Sequence, residues 1–295
     1  MKMVSDHAST EPDANSVKVK VTAVGLNPLD VKVPFIPIYA KNRAASPVGV
    51  DFAGTIVALG SKVKDFKEGD VVYGIQMGGS LAEFINISAH AIAKIGKGFD
   101  VIEAAATPVA ALTAMQGLRM VDALHSDKPL TIVILGASGG VGHLAVQLAK
   151  VCNPPGTKVV AVCSSKNATF VAGLGADTVL DYTKQGFDLS KAVNDADVVY
   201  DLIPYPEDTA MKCLKKGGKY VTAVPPMEPS TNPAFNVVFC ESNTQDLTEL
   251  AKLYEAKKIK THISKTVKMA VQQELEDSME LLRSHRTVGK IVVTM

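Results

Sequence analysis

The chain is expected to be an α/β protein in which a doubly wound parallel sheet is joined to a separate, smaller β domain. Three observations predict this. From residue 130 onward, short β-branched runs alternate with helical segments. A glycine-rich turn lies directly between the first of those runs and its helix. Residues 16–87 instead carry short strand-like runs separated by glycine turns, as a compact barrel or sandwich does. A length of 295 residues exceeds the usual size of one domain, so two cores are expected.

Residues 1–16 are polar, without the hydrophobic core of a signal peptide or an Arg-rich amphipathic face. They read as a disordered lead-in or as the remnant of a longer start. Residues 16–24, S-V-K-V-K-V-T-A-V, alternate apolar and polar like a half-buried antiparallel strand. Gly25-Leu-Asn-Pro28 breaks this run, and residues 29–45, with Pro34 and Pro37, show no clean period and read as a loop with short helical pieces. Strands are expected at 48–59, 70–73 and 81–87, between turns at Gly60-Ser61, Gly69-Asp70 and Gly78-Gly79-Ser80. Residues 101–120 are rich in Ala, Leu and Met and predict helix, broken or kinked at Pro108.

Residues 131–135, T-I-V-I-L, form the first buried parallel strand of the second half, and Gly136-Ala-Ser-Gly-Gly-Val-Gly142 follows at once. Leu144, Leu148 and Val151 then recur on one helical face. Strand, glycine turn and helix, in that order, are what a dinucleotide fingerprint requires. Glycines let the backbone approach a pyrophosphate, and the helix start offers unpaired N–H groups and the positive end of its dipole. A tight turn of no special function is the alternative. Main-chain N–H groups of Ser138, Gly139, Gly140, Val141 and Gly142 are the expected pyrophosphate contacts. Further strands are expected at 158–162, 178–180, 197–202 and 219–224, with an edge strand at 235–240, and helices at 167–173, 206–215, 245–257 and 271–284. Residues 289–294 close as a strand.

An acid following the second strand of such a sheet bonds the ribose 2′-hydroxyl of NAD. Here 158–162 is followed by Cys163-Ser-Ser-Lys-Asn167, with no Asp or Glu. Ser164, Ser165 and Lys166 offer hydroxyls and a cation that suit a 2′-phosphate, so NADPH is the expected cofactor. The same serines also suit a helix start, and the two roles are compatible.

Composition excludes several classes. A net charge of +1, without a basic or acidic block, points away from nucleic acid and from membrane surfaces. Trp is absent and aromatics make up 5%, too few for single-strand stacking platforms. No apolar run has the length of a spanning helix, so no integral membrane segment is expected. Cys152, Cys163, Cys213 and Cys240 form no C-x-x-C pair and read as reduced core thiols, and the six histidines form no H-x-x-x-H pair. No metal site is expected.

With these residues in view, the chain resembles the medium-chain dehydrogenase/reductase superfamily, in its zinc-free quinone oxidoreductase (ζ-crystallin-like) branch. The blocks that carry this are Val24-Gly-Leu-Asn-Pro-Leu-Asp-Val-Lys32, Pro47-Val-Gly-Val-Asp-Phe-Ala-Gly54, Phe66-Lys-Glu-Gly-Asp-Val-Val-Tyr-Gly74, Gly79-Ser-Leu-Ala-Glu-Phe84, Glu103-Ala-Ala-Ala-Thr-Pro108 and Ala137-Ser-Gly-Gly-Val-Gly142. Gly175-Ala-Asp177, Asp181-Tyr182 and Gly289-Lys290 also fit. The wording is closest to plant-type quinone oxidoreductase homologues and alkenal/enone reductases. The resemblance implies a GroES-like β domain over 1–108, completed by 260–295, and a Rossmann NADPH-binding domain over 109–259, with the cofactor in the cleft between them. It implies a homodimer, and an N-terminal hairpin shortened relative to the family. Zinc-dependent relatives place a Cys near Asn27, a Gly-His-Glu near Gly49-Val-Asp51 and a four-cysteine lobe, and this chain has none of these.

The reaction implied is hydride transfer from NADPH to a quinone, or to the C=C of an α,β-unsaturated carbonyl. Such chemistry belongs to the cofactor, and the protein aligns the partners and donates to the oxygen where charge develops. Lys32 is the expected donor, at the position where relatives place a nicotinamide-side Tyr or Lys; otherwise it is a solvated loop lysine. Asn27 either positions the nicotinamide or substrate or serves its Asn-Pro turn. Thr113 either faces the nicotinamide or is satisfied by its own helix. Tyr182 lies against the adenosine side or is a half-buried strand-end residue, and His143 reads as a helix-surface residue rather than a catalyst. Two other functions stay open: an NADPH-binding structural or regulatory homologue without turnover, and an enoyl-thioester reductase. The substrate-lining loops, 33–46 and 225–235, do not reveal the substrate. A cytoplasmic location is expected, with plastid association without a cleavable leader as the alternative.

Overall fold

The structure, a computed structural model, describes residues 10–32, 48–224 and 230–295, with the side chain of Lys32 outside that description. The chain forms two compact units. One takes it up to Val109 and again from Glu241 to Met295, and the other runs from Ala110 to Cys240.

The first unit opens with β1 (Ser16–Leu26). Its alternation buries Val17, Val19 and Val21 on one face, in a core shared with Phe52, Ile56, Val72 and Ile291. Register shifts at Lys18/Val19 and Val21/Ala23 bend the strand, as bulges do, so that along one edge it pairs first with β4 and then with the last strand of the chain. A short helix α1 (Pro28–Lys32) follows, with proline at its first position, where the missing N–H is not needed. Then come β2 (Asp51–Leu59), β3 (Val71–Ile75), β4 (Phe84–Ser88) and β5 (Ile92–Lys94). Helix α2 (Val101–Ala105) is capped by Asp100, whose carboxylate accepts from the N–H groups of Ile102 and Glu103. The expected break at Pro108 is complete: α3 (Pro108–Met120) starts on that proline, and the chain passes to the second unit within its first turn.

The second unit is built from β6 (Thr131–Leu135), α4 (Gly142–Val151), β7 (Lys158–Cys163), α5 (Ala168–Gly173), β8 (Thr178–Asp181), α6 (Leu189–Ala192), β9 (Ala196–Asp201), α7 (Glu207–Met211), β10 (Leu214–Thr222) and β11 (Phe235–Val237). The described residues form a six-stranded, all-parallel sheet in the order β11-β10-β9-β6-β7-β8. Right-handed crossovers then place helices on both faces, because the strands run outward from β6 in one direction and from β9 in the other. The order reverses between β6 and β9, and ligands of such sheets bind at that switch point.

From Glu241 the chain returns to the first unit with α8 (Thr244–Glu255), β12 (Ile263–Lys268), α9 (Gln272–Arg283) and β13 (Lys290–Thr294). Its sheet runs β12-β13-β1-β2-β3-β5, with β4 paired to β1. The expected return to this domain at residue 260 therefore comes earlier. Helix α8 belongs here because Tyr254 stacks on Phe99 at 4.2 Å between ring centres and the Tyr73 hydroxyl donates to the Leu247 carbonyl at 2.5 Å. Two strands had no sequence signal: β5 is only three residues long, and β12, I-S-K-T-V-K, is mostly solvated at a sheet edge.

Candidate cofactor and active site

The turn after β6 is shaped for close approach. Gly136 sits at φ +76°, a region that favours glycine. A Cβ on Gly142 would lie 2.2 Å from the Gly136 carbonyl oxygen and 2.8 Å from Ala137 Cα, so the start of α4 can press against the turn only because that residue is glycine. Within the turn, the Gly139 N–H bonds the Gly136 carbonyl at 3.0 Å and the His143 N–H bonds the Gly139 carbonyl at 3.1 Å. Among the described residues, the N–H groups of Ser138, Gly140, Val141 and Gly142 have no acceptor. Unpaired amides at a helix start, two of them on glycines with no side chain to crowd a ligand, are the donor set a pyrophosphate takes. Gly139 differs from the expectation, since its own N–H is spent inside the turn.

His143 is not on the surface. It is fully buried, and its Nδ1 lies 2.9 Å from the Gly139 carbonyl, which can only accept, so this nitrogen carries the proton. The reason is the position of α4 in the middle of the sheet, where eight of its ten residues are buried. The imidazole therefore braces the glycine turn.

At the end of β7, Ser164 is buried while Ser165 and Lys166 are exposed on a single 3-10 turn. Asn167, which the sequence did not single out, donates from Nδ2 to Ser138 Oγ at 3.0 Å and so ties this segment to the glycine turn. An acid does stand at this end of the sheet, on the neighbouring strand: Asp181 is in register with Cys163. Its carboxylate accepts from the hydroxyl of Thr183 at 2.6 Å and from its N–H at 2.9 Å, and these bonds hold it below the usual carboxylate range. Tyr182 is more than half exposed, beyond the strand end rather than half-buried in it. Thr113 is buried in α3, and its carbonyl accepts the Tyr200 hydroxyl at 2.6 Å, which fixes that turn of α3 against β9.

The first unit contains a buried polar cluster. Asn27 links β1 to α1, and its side chain is fully engaged: Oδ1 accepts from Lys290 Nζ, and Nδ2 donates to Asp51 Oδ2 at 2.9 Å and to the Gly25 carbonyl at 3.3 Å. Lys290 Nζ also lies 3.1 Å from Asp51 Oδ2, and Asp51 Oδ1 accepts the Val109 N–H at 2.7 Å. Asp30 takes the Asn27 N–H at 2.7 Å and the Gly49 N–H at 3.0 Å. Burial raises the Asp51 carboxyl, against the pull of Lys290, Asn27 and the Val109 N–H. Burial, reinforced by Asp51, pushes Asp30 up to about 7. With both donors and its acceptor in use, Asn27 has no side-chain hydrogen left for a ligand. The backbone of Lys32 closes α1, and its side chain lies outside the described residues. Asp30, Asp51 and Lys290 each fall within a block that carries the resemblance, but nothing in the sequence signals them as a set, because Asp51 and Lys290 are 239 positions apart.

Among the described residues, no group of three or more His, Cys, Asp or Glu side chains is placed to hold a metal ion. Asp30 and Asp51 face a lysine ammonium and main-chain N–H groups, which are donors, so the cluster does not fit a cation as a ligand set.

Comparison with known proteins matches residues 13–97 to the alcohol dehydrogenase GroES-like domain and residues 174–293 to a family described as zinc-binding dehydrogenase. The 2-methylene-furan-3-one reductase of Solanum lycopersicum is 34% identical over 99% of this chain and 75% of its own length. The chloroplastic NADPH-dependent alkenal/one oxidoreductase of Arabidopsis thaliana is 34% identical with the same coverage. The structure of the quinone oxidoreductase from Coxiella burnetii superposes with a TM-score of 0.86 at 29% identity, over 99% of this chain and 94% of that one.

Proposed function

This chain belongs to the medium-chain dehydrogenase/reductase superfamily, among its quinone oxidoreductases and alkenal/enone reductases, and from that premise we propose that it is an NADPH-dependent reductase of quinones or of the C=C bond of α,β-unsaturated carbonyls. The observation that carries the reading is the row of unpaired main-chain N–H groups at Ser138, Gly140, Val141 and Gly142, placed at the switch point of a parallel sheet. NADPH, when bound, supplies the hydride. The chain's own residues do the rest. The amide row binds the pyrophosphate, and Asn167 holds Ser138 in place beneath it. Ser164, Ser165 and the exposed Lys166 receive the 2′-phosphate, an assignment favoured by the engagement of Asp181, the acid paired in register with Cys163, with Thr183. Tyr182 offers its exposed ring to the adenosine side, and Thr113 is assigned to the nicotinamide side. Lys32 donates to the substrate oxygen as negative charge develops there.

Two measurements test this. NADPH consumption is followed against a panel of quinones, 2-alkenals and enoyl thioesters. Turnover with the first two classes is expected. Turnover with thioesters alone would make the chain an enoyl reductase, and binding of NADPH without any turnover would make it a structural or regulatory homologue. With the best acceptor, Lys32→Ala is expected to lower kcat/KM at least about tenfold, the scale of one lost donor to a developing charge. An unchanged kcat/KM ends the donor role. Assembly as a homodimer is read by sedimentation. Of the two compartments expected, the chloroplastic Arabidopsis relative favours the plastid, and no described helix is long and apolar enough to cross a membrane.

A further inference from the structure

Helix α1 leaves the sheet at Asn27, and that residue is held from every side. Its N–H is taken by Asp30, its Oδ1 by Lys290, and its Nδ2 by Asp51 and by the Gly25 carbonyl. The partners converge from separate elements: Asp51 opens β2, Lys290 opens β13, and Val109, which donates to the other oxygen of Asp51, lies in the first turn of α3. Asp51 is fully buried and Lys290 is 3% exposed.

Closing a sheet does not need such a cluster. Apolar side chains of similar volume do it as well, without the cost of taking two charges out of water. What an ion pair adds is direction. An ammonium can face only the carboxamide oxygen, and a carboxylate only its nitrogen. The pair therefore permits a single orientation of the Asn27 amide. Asp30 extends the constraint, because its carboxylate spans the Asn27 and Gly49 N–H groups and so ties α1 to the approach of β2.

We propose that Lys290 and Asp51 are positioning residues for the reductase reaction, which through Asn27 aim helix α1 and so place Lys32 at its end. The proposal rests on the reading under Proposed function. Asp51→Asn combined with Lys290→Met removes both charges of the pair. Asn27→Ala keeps the ion pair but cuts its link to α1. Both variants are expected to bind NADPH within threefold of wild type in a calorimetric titration. Both are expected to lose at least tenfold in kcat, with the KM for NADPH little changed. Hydrogen exchange is measured on the same proteins, and protection of the Asp30 and Lys32 amides is expected to fall at least tenfold while the β1–β2 ladder keeps its protection. If either variant folds and retains kcat within twofold, or if exchange rises equally across the sheet, the network is structural only and the proposal is overturned. If the double variant does not fold, Asn27→Ala decides. If wild type oxidises no NADPH with any acceptor, the reductase reading fails, and the exchange pattern alone decides whether these residues aim α1.

Discussion

A single hydrogen decides whether the glycine turn can close. At Gly142 any side chain would place a carbon 2.2 Å from the Gly136 oxygen, far inside contact distance, and the obstacle is backbone, which cannot swing away. Gly142→Ala is therefore expected to push α4 off the turn and spread the amide row. Calorimetric titration should show NADPH affinity reduced at least about tenfold, about 1.4 kcal/mol, together with a lower Tm. Retained affinity would mean that the amides are not the pyrophosphate site. The turn was legible because its demand is local: glycines, a preceding strand and a following helix all fall within one continuous stretch. His143 was not legible in the same way. Its neighbours in sequence describe one helical face, whereas its burial depends on layers contributed from elsewhere.

At the scale of the element, the segment after β7 shows what a strand end contributes. Ser164 to Asn167 form one tight turn whose Asn167 reaches back to Ser138, so the segment expected to hold the 2′-phosphate and the one expected to hold the pyrophosphate are mechanically joined. The exposed Lys166 is the cation of this turn. Lys166→Glu is expected to weaken NADPH by about tenfold, the size of one charge-assisted contact, while leaving NADH affinity within about threefold. Paired titrations with the two cofactors check this, and an equal loss for both would remove the segment from cofactor choice. The residues directly after β7, Ser164 to Asn167, contain no acid, and Asp181 joins this site only through the parallel pairing of β8 with β7.

For the whole molecule, stability should depend on pH through the buried carboxyls. Asp30 has an ordinary value of 3.8 and a folded value of about 7, raised chiefly by burial. A raised carboxyl holds its proton in the folded chain while the unfolded chain has lost it. Its stabilising contribution is therefore complete below about 3.8 and is lost as pH rises through about 7. Asp51, Glu103 and Asp201, also raised by burial, act in the same direction. Asp177 acts oppositely. It is lowered by the Val159 N–H and by Lys150, so its contribution is lost as pH falls through its folded value. Tm is expected to be lower at pH 8 than at pH 5.5, and Asp30→Asn, though less stable, should flatten that slope. A wild-type Tm that rises from pH 5.5 to pH 8 would contradict the shift.

What the amino-acid sequence determined by itself was whatever depends on neighbours along the chain. Alternating valines specify β1, proline starts α1 and α3, and glycines turn β6 into α4. From these followed the two-domain α/β class and a dinucleotide site. Tertiary structure alone decided which polar residues meet. Asp51 and Lys290 are 239 positions apart and bear no mutual signal in the sequence, yet the pairing of β1 with both β2 and β13 brings them to the same carboxamide of Asn27. Periodicity describes one face of one element. A buried ion pair depends on which elements are neighbours, and that is settled only when the sheet closes.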